Sequence, residues 1–105
     1  MAKQTASNTI GPFFHHIMTP EDHDFVGITD NCLAGKSTKG ERIKVEGRIL
    51  DGDGKPLRAA MLEIWQANVS GRYNAPQDTR NDVTLDKKFT GFGRVSAGNR
   101  GKFEF

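Results

Sequence analysis

The sequence predicts an all-β fold, an antiparallel β-sandwich that is incomplete within this chain and follows an irregular amino-terminal arm. Three observations predict it: alternation of apolar and polar residues over 42–49, a strong turn sequence at 51–54, and glycines spaced through the second half. Short alternating strands separated by turn residues are typical of β-sandwiches. We expect residues 1–41 to form the arm and residues 42–105 to form the first part of the sandwich.

The first strand is predicted by a change of pattern at Arg42. Before it, the chain contains Gly11-Pro12, Pro20 and a polar run at 35–41, with no sustained apolar period. After it, apolar or small residues at 43, 45, 47 and 49 alternate with charged ones, which is the period of a half-buried strand. Asp51-Gly-Asp-Gly then has strong turn chemistry, so we expect a hairpin-like reversal there.

The next segment, AMLEIWQA at 60–67, is compatible with a buried strand or with one face of a helix. Its short length between Pro56 and Gly71, and the lack of an N-cap residue just before it, favour a strand. The side chains at 60, 62 and 64 are then predicted to point to one face and those at 61, 63 and 65 to the other. A last strand is predicted where Phe103 and Phe105 alternate with charged residues.

Composition limits the classes of function. The chain has 105 residues and 35 % hydrophobic residues, so only a thin core is expected. Lys+Arg 15 against Asp+Glu 13 gives a net charge of +2, too balanced for a nucleic-acid surface. The single cysteine, Cys32, excludes an internal disulfide, and neither a signal peptide nor a membrane-spanning run is recognisable. We therefore expect a cytoplasmic protein.

Two short motifs and one cluster of side chains resemble sites for other chemistry. Gly35-Lys-Ser resembles the end of a phosphate-binding loop, but the first glycine of that motif would fall at Asp30. The turn at 51–54 begins like a calcium loop, but Lys55 stands at the third ligand position. A ferrous site of two histidines and one carboxylate is the alternative for the arm, whose candidates are His15, His16, His23, Glu21, Asp22 and Asp24. Surface or interface histidines are the default interpretation.

The segment from Val45 to Tyr73 carries the most specific pattern. It runs from VEGRI through Gly54 and Leu57 to the triplet LEI at 62–64, and ends at Gly71-Arg-Tyr73. With these gaps it resembles the signature of the intradiol ring-cleaving dioxygenases. The flanking EIWQAN, FTGFGRV and GKFEF are similar to that family's strands, and NTIGPFFHH and TKGERI resemble the alpha-type chains of its protocatechuate 3,4-dioxygenases.

The resemblance implies a β-sandwich enzyme that cleaves a catechol ring between its hydroxyls with ferric iron and dioxygen. The family holds iron with two tyrosines and two histidines, and Tyr73 alone matches one of these positions, that of the first tyrosine. A phenolate is a hard anionic donor suited to a trivalent ion. We expect the other ligands to lie in segments after Phe105, and this chain alone to bind no iron and to be inactive.

The alpha-type resemblance further implies a hetero-oligomer with a beta-type subunit that carries the working iron. In such enzymes the alpha-type arm helps to line the substrate pocket, and the matching positions here are Thr9, Gly11 and Pro12. Glycine allows close backbone approach and proline holds the chain rigid, so a Gly-Pro corner suits a pocket wall. The implied substrate is 3,4-dihydroxybenzoate, cleaved to 3-carboxy-cis,cis-muconate.

Two alternatives stay open from the residues. A non-catalytic module of the carboxypeptidase-regulatory or transthyretin-like kind shares the strand, Asp-Gly turn and second strand, but has no reason to carry Gly71-Arg-Tyr73 or the GPFFHH arm. Tyr73 is either a vestigial iron ligand or an ordinary interface tyrosine. The remaining large aromatics are predicted to be packing residues; they are Trp65, Phe89, Phe92, Phe103 and Phe105.

Overall fold

The structure, a computed structural model, describes residues 3–9, 11, 13–25 and 29–105. Within them the arm contains a short helix, α1 (Phe14–Met18), followed by a 3-10 helix at Pro20–His23. Four strands follow: β1 (Glu46–Arg48), β2 (Met61–Trp65), β3 (Phe92–Ser96) and β4 (Lys102–Glu104). The described chain is thus mostly strand and irregular structure with very little helix, which confirms the all-β prediction.

The strands pair into two antiparallel two-stranded sheets. β1 pairs with β4, with Gly47 opposite Phe103, and β2 pairs with β3, with Ile64 opposite Gly93. β3 and β4 contact each other, so the two sheets adjoin. The antiparallel arrangement agrees with the predicted fold class, while the face-to-face packing of a full sandwich stays a prediction.

β2 confirms the choice of a strand for the ambiguous segment. Leu62 and Ile64 are half-buried, whereas Met61, Glu63 and Trp65 are exposed. This alternation has the two-residue period of a strand with one packed face. The faces are those predicted from the sequence.

The reversal after β1 is also confirmed. The Asp51 carboxylate accepts hydrogen bonds from the backbone N–H groups of Asp53 and Lys55, both at 2.9 Å. Leu50 and Pro56 then form an isolated antiparallel bridge. An aspartate that bonds the backbone two residues ahead is a common turn device, so this reversal follows from local chemistry.

The two helical turns of the arm were not predicted. Pro20 begins the 3-10 helix, where its missing N–H costs nothing, and Asp24 ends the helix with a φ of 61°. The arm is tied to the sheet through Arg94, whose Nη1 donates to the Ile17 carbonyl at 3.5 Å. Further along, the Gly35 N–H donates to the Lys88 carbonyl at 2.9 Å.

The core is thin, as the composition indicates. Phe89 and Ala97 are the buried hydrophobic residues of the described chain. The Cα radius of gyration is 16.9 Å, against about 13 Å for a compact domain of this length. Phe103 and Phe105 are half-buried with ring centroids 6.1 Å apart, so they pack as predicted. Trp65 departs from its predicted packing role because its side chain is 62 % exposed.

No helix among the residues described here combines the length and the apolar character needed to cross a bilayer.

Candidate functional site

A cleft of about 630 Å³ opens at the end of β2. One wall is Trp65, the last residue of the strand, and the rest comes from the loop that follows, between Tyr73 and Arg80. The cleft therefore lies where the signature tyrosine was expected to do its chemistry.

Trp65 forms an aromatic pair with Tyr73, another residue that lines the cleft. The rings of Trp65 and Tyr73 lie 5.8 Å apart at an interplanar angle of 83°, the edge-to-face arrangement that aromatic pairs prefer. Tyr73 is 41 % exposed, and its hydroxyl takes part in no hydrogen bond with the described residues. Because Tyr73 is partly exposed and lines the open cleft, its side chain is accessible to a ligand.

The backbone of Tyr73 is held by a carboxylate. Its N–H donates to Asp78 Oδ2 at 2.8 Å, and Arg80 donates to both oxygens of the same carboxylate, through Nε at 2.8 Å and Nη2 at 2.7 Å. The Arg80 side chain and the Tyr73 N–H hold the pKa of Asp78 well below its ordinary range. The carboxylate in turn raises the pKa of Arg80.

The entry to this loop is organised by Asn68, which is buried. Its Oδ1 accepts from the N–H groups of Ser70 at 2.9 Å and Arg72 at 3.0 Å, and its Nδ2 donates to the Thr84 carbonyl at 2.8 Å. Gly71 has a φ of 80°, a conformation that glycine adopts without strain. Asn68 thus anchors the loop at its start.

Arg72 points away from the cleft. Its Nη1 donates to the Val83 carbonyl at 2.8 Å and its Nη2 to the Asp78 carbonyl at 3.5 Å. These bonds fasten the two ends of the loop together, which explains a role for the arginine of the Gly-Arg-Tyr motif. Sequence reasoning missed Asp78 and Arg80, although an Asp-x-Arg pair shortly after the motif was a visible signal.

The predicted substrate-binding residues of the arm lie elsewhere. Thr9 and Gly11 are exposed, and Gly11 has a φ of 79° with open space around its Cα. Neither is among the described residues that line the Trp65–Tyr73 cleft. Pro12 lies outside the described residues. The assignment of these three positions stays a prediction.

The described residues do not by themselves fit a complete iron site. Tyr73 suits one anionic oxygen ligand, but in the described part of the chain no group of three or more His, Cys, Asp or Glu side chains is placed to hold a metal ion. In the arm, the rings of His16 and His23 lie in contact, with centroids 4.1 Å apart and an interplanar angle of 42°. The chemistry of a ferric centre would therefore need ligands beyond those described.

Comparison with known proteins identifies the kind of protein that this site belongs to. The sequence model of a family described as "Dioxygenase" matches residues 9–105. The chain is 35 % identical to the alpha chain of protocatechuate 3,4-dioxygenase from Burkholderia cepacia, over 98 % of this chain and 51 % of the relative. It is 43 % identical to the beta chain from the same organism, over 82 % of this chain and 35 % of the relative.

A third relative has a different named substrate. The chain is 44 % identical to hydroxyquinol 1,2-dioxygenase from Rhizobium sp., over 68 % of this chain and 22 % of the relative. The chain thus spans about half, or less, of the length of these relatives. All three are named dioxygenases, which favours the dioxygenase interpretation over a transthyretin-like module.

Proposed function

Because this chain belongs to the intradiol dioxygenase family, we propose that it is part of an iron(III)-dependent catechol dioxygenase. Its role is that of an alpha-type chain of protocatechuate 3,4-dioxygenase, which supports cleavage of 3,4-dihydroxybenzoate to 3-carboxy-cis,cis-muconate together with a beta-type chain. The alpha-type assignment is supported by the alpha-chain match, which extends over more of this chain than the beta-chain match. We propose the cytoplasm as the location of the reaction.

The observation that carries the proposal is the exposed Tyr73 phenol beside Trp65. A tyrosine at the signature position that lines an open cleft is what a tyrosinate ligand requires. The Trp65 ring adds an apolar wall of the size of an aromatic substrate, and small-molecule sites combine such walls with a few placed polar groups. In the alpha-type role, Tyr73 keeps the position of the family's first tyrosine ligand, while the beta-type partner holds the working iron.

The arm supplies the second part of the proposed role. Thr9, Gly11 and Pro12 form a wall of the substrate pocket in the assembled enzyme, next to the iron of the beta-type partner. Support comes from the exposure of Thr9 and Gly11 and from the absence of any described atom within 4 Å of a Cβ built at Gly11. A partner chain or a substrate can therefore approach the backbone there.

The test combines this chain with a beta-type chain of protocatechuate 3,4-dioxygenase and ferric iron. We expect ring cleavage, measured as oxygen uptake and loss of 3,4-dihydroxybenzoate absorbance, in the mixture and in neither chain alone. This chain alone should stay colourless with iron, since one tyrosine does not complete a site. Absence of cleavage in a mixture shown to co-elute as a complex would contradict the proposal.

Two variants separate the proposed roles. Tyr73→Phe tests the role of the tyrosine: a weaker tyrosinate charge-transfer band in the iron-loaded complex identifies Tyr73 as a ligand there, and an unchanged band identifies it as a tyrosine that does not bind the iron. Gly11→Val should raise KM for 3,4-dihydroxybenzoate, because a branched side chain at a φ of 79° shifts the backbone of the wall. Gly52→Ala, in an open turn with no atom within 4 Å of the added Cβ, is the matched control.

A further inference from the structure

An ion pair between Asp78 and Arg80 holds the loop after β2. Neither the sequence signature nor the comparisons assign a role to these two residues. We propose that Asp78, held by Arg80, is the positioning residue of Tyr73, fixing the phenol against Trp65 before any ligand is present. The inference rests on the proposed role of Tyr73 and deepens it.

Asp78 uses both carboxylate oxygens. Oδ2 accepts from the Tyr73 N–H at 2.8 Å and from Arg80 Nη2 at 2.7 Å, while Oδ1 accepts from Arg80 Nε at 2.8 Å. Its side chain is only 9 % exposed, although the Arg80 side chain is half-exposed. Two parallel charge-assisted bonds fix both the position and the plane of a carboxylate. The acceptor for the Tyr73 N–H is therefore itself rigid.

Arg80 extends the connection to the other side of the tyrosine. Its Nη2 also donates to the Gly71 carbonyl at 2.9 Å. Gly71 and Tyr73 are thus bound to the same carboxylate–guanidinium unit, while Arg72 between them points to Val83. With the backbone held on both sides of residue 72, the direction of the Tyr73 side chain depends mainly on its own χ1 angle, which the Trp65 ring restricts.

An ion pair suits this position better than a lone carboxylate. Tyr73 and Arg80 both line the cleft with Asp78. Paired with Arg80, Asp78 holds the Tyr73 backbone without bringing net negative charge into the cleft.

The chain allows a residue-specific test because Tyr73 is its only tyrosine and Trp65 its only tryptophan. The variants are Asp78→Asn, which keeps shape and removes charge, Asp78→Ala, and Arg80→Lys, which keeps charge and removes the fork. The matched control is Asp53→Asn, since Asp53 forms an exposed pair with Lys55 at 3.8 Å in a distant turn. All are measured on the full chain without metal or partner.

Two readouts are used: hydrogen exchange of the Tyr73 amide by NMR, and the near-ultraviolet circular dichroism of the Trp65–Tyr73 pair. In Asp78→Ala we expect exchange of that amide to accelerate by about tenfold or more, the range for loss of a hydrogen bond to a charged group. The near-ultraviolet signal should collapse in the same variant. Asp78→Asn and Arg80→Lys should be intermediate, and Asp53→Asn should match the parent chain.

Protection of the β2 amide of Leu62 separates local from global effects. If it stays at the parent level while Tyr73 loses protection, the positioning role is supported. An equal loss of amide protection at Leu62 would mean that Asp78 stabilises the whole fold and does not act on Tyr73 in particular. Unchanged exchange of the Tyr73 amide and an unchanged near-ultraviolet signal in Asp78→Ala would mean that Asp78 does not position Tyr73. Either result overturns the proposal. Since no iron or partner is present, failure of ring cleavage in the assembled enzyme does not affect this test.

Discussion

Gly91→Ala is the substitution whose cost can be worked out most directly. Gly91 lies just before β3, where its carbonyl accepts from the Gln66 N–H at 2.8 Å, immediately after the tryptophan of the cleft. Its φ is 70°, and an added Cβ would lie 2.6 Å from the Gln66 carbonyl oxygen. A left-handed conformation costs about 1–2 kcal/mol for a residue with a Cβ. Overpacking adds about 1–3 kcal/mol, so we expect a loss of unfolding free energy of about 2–5 kcal/mol.

Two further glycines separate the backbone cost from the steric cost. Gly54 has a φ of 77° and nothing within 4 Å of an added Cβ, so Gly54→Ala should show the backbone term alone, about 1–2 kcal/mol. Gly52 has neither a positive φ nor a neighbour within 4 Å, so Gly52→Ala should be neutral or slightly stabilising because it restricts the unfolded chain. The three variants form a graded series at positions outside the interior of any strand.

The assay is urea unfolding followed by the fluorescence of Trp65, with the free energy obtained by linear extrapolation. The expected order of stability is Gly52→Ala, then Gly54→Ala, then Gly91→Ala, with unchanged denaturant slopes. If Gly91→Ala loses no more unfolding free energy than Gly54→Ala, the Gln66 carbonyl moves aside freely and the expected steric cost is wrong. If Gly54→Ala loses nothing, the backbone part is wrong. Should Gly91→Ala be unfolded without urea, the comparison of the other two still tests the backbone part.

Further predictions concern the core, the sheet and acid. Phe89→Ala should cost about 3–5 kcal/mol of unfolding free energy because this ring is buried, and Phe92→Ala should cost clearly less because that ring is 37 % exposed; urea unfolding checks both. Glu63→Gln should cost about 0.5–1 kcal/mol by breaking its cross-strand ion pair with Arg94, and the loss should shrink in high salt if the pair is the cause. The pKa of Asp86 is lowered by backbone N–H donors, so its folded-state pKa lies below its unfolded one. The stabilisation that Asp86 contributes is therefore present above the ordinary carboxyl pKa and is lost as the pH falls through the lowered pKa. Asp86→Asn should lower the free energy of unfolding at pH 7, and its difference from the parent chain should shrink in strong acid.

Local features of this fold were predictable and distant pairings were not. The alternation in 60–67 gave both the existence of β2 and the faces of its side chains, because a strand with one packed face imposes a two-residue period. The pairing of β1 with β4 joins residues more than fifty positions apart, and no local signal encodes that register. The motif glycine Gly47 shows the consequence: an added Cβ would lie 2.7 Å from Phe103 Cζ, a reason invisible without the partner strand.

At the site, the signature identified Tyr73, but the packing role predicted for Trp65 from the size of its ring was wrong. Its position in the alternation put it on the same face as Glu63, which is the exposed face of β2. The general tendency of large aromatics to be buried was given more weight than this pattern. Asp78 and Arg80 were missed for a different reason, since they lie in an irregular loop where no periodicity marks a functional pair.

The cleft and the packed side of the sheet are set by one register. Leu62 and Ile64 point to the packed face of β2, so Trp65 must point to the open face, and a slip of one residue against β3 would exchange the two sets. Gly93, opposite Ile64, restricts such a slip because an added Cβ there would lie 2.8 Å from Leu33 Cδ1 and 3.2 Å from the Asp30 carbonyl oxygen. A residue larger than glycine brought to this position would collide with these two residues of the arm. The close contact at Gly93 therefore stabilises the register that presents Trp65 to Tyr73.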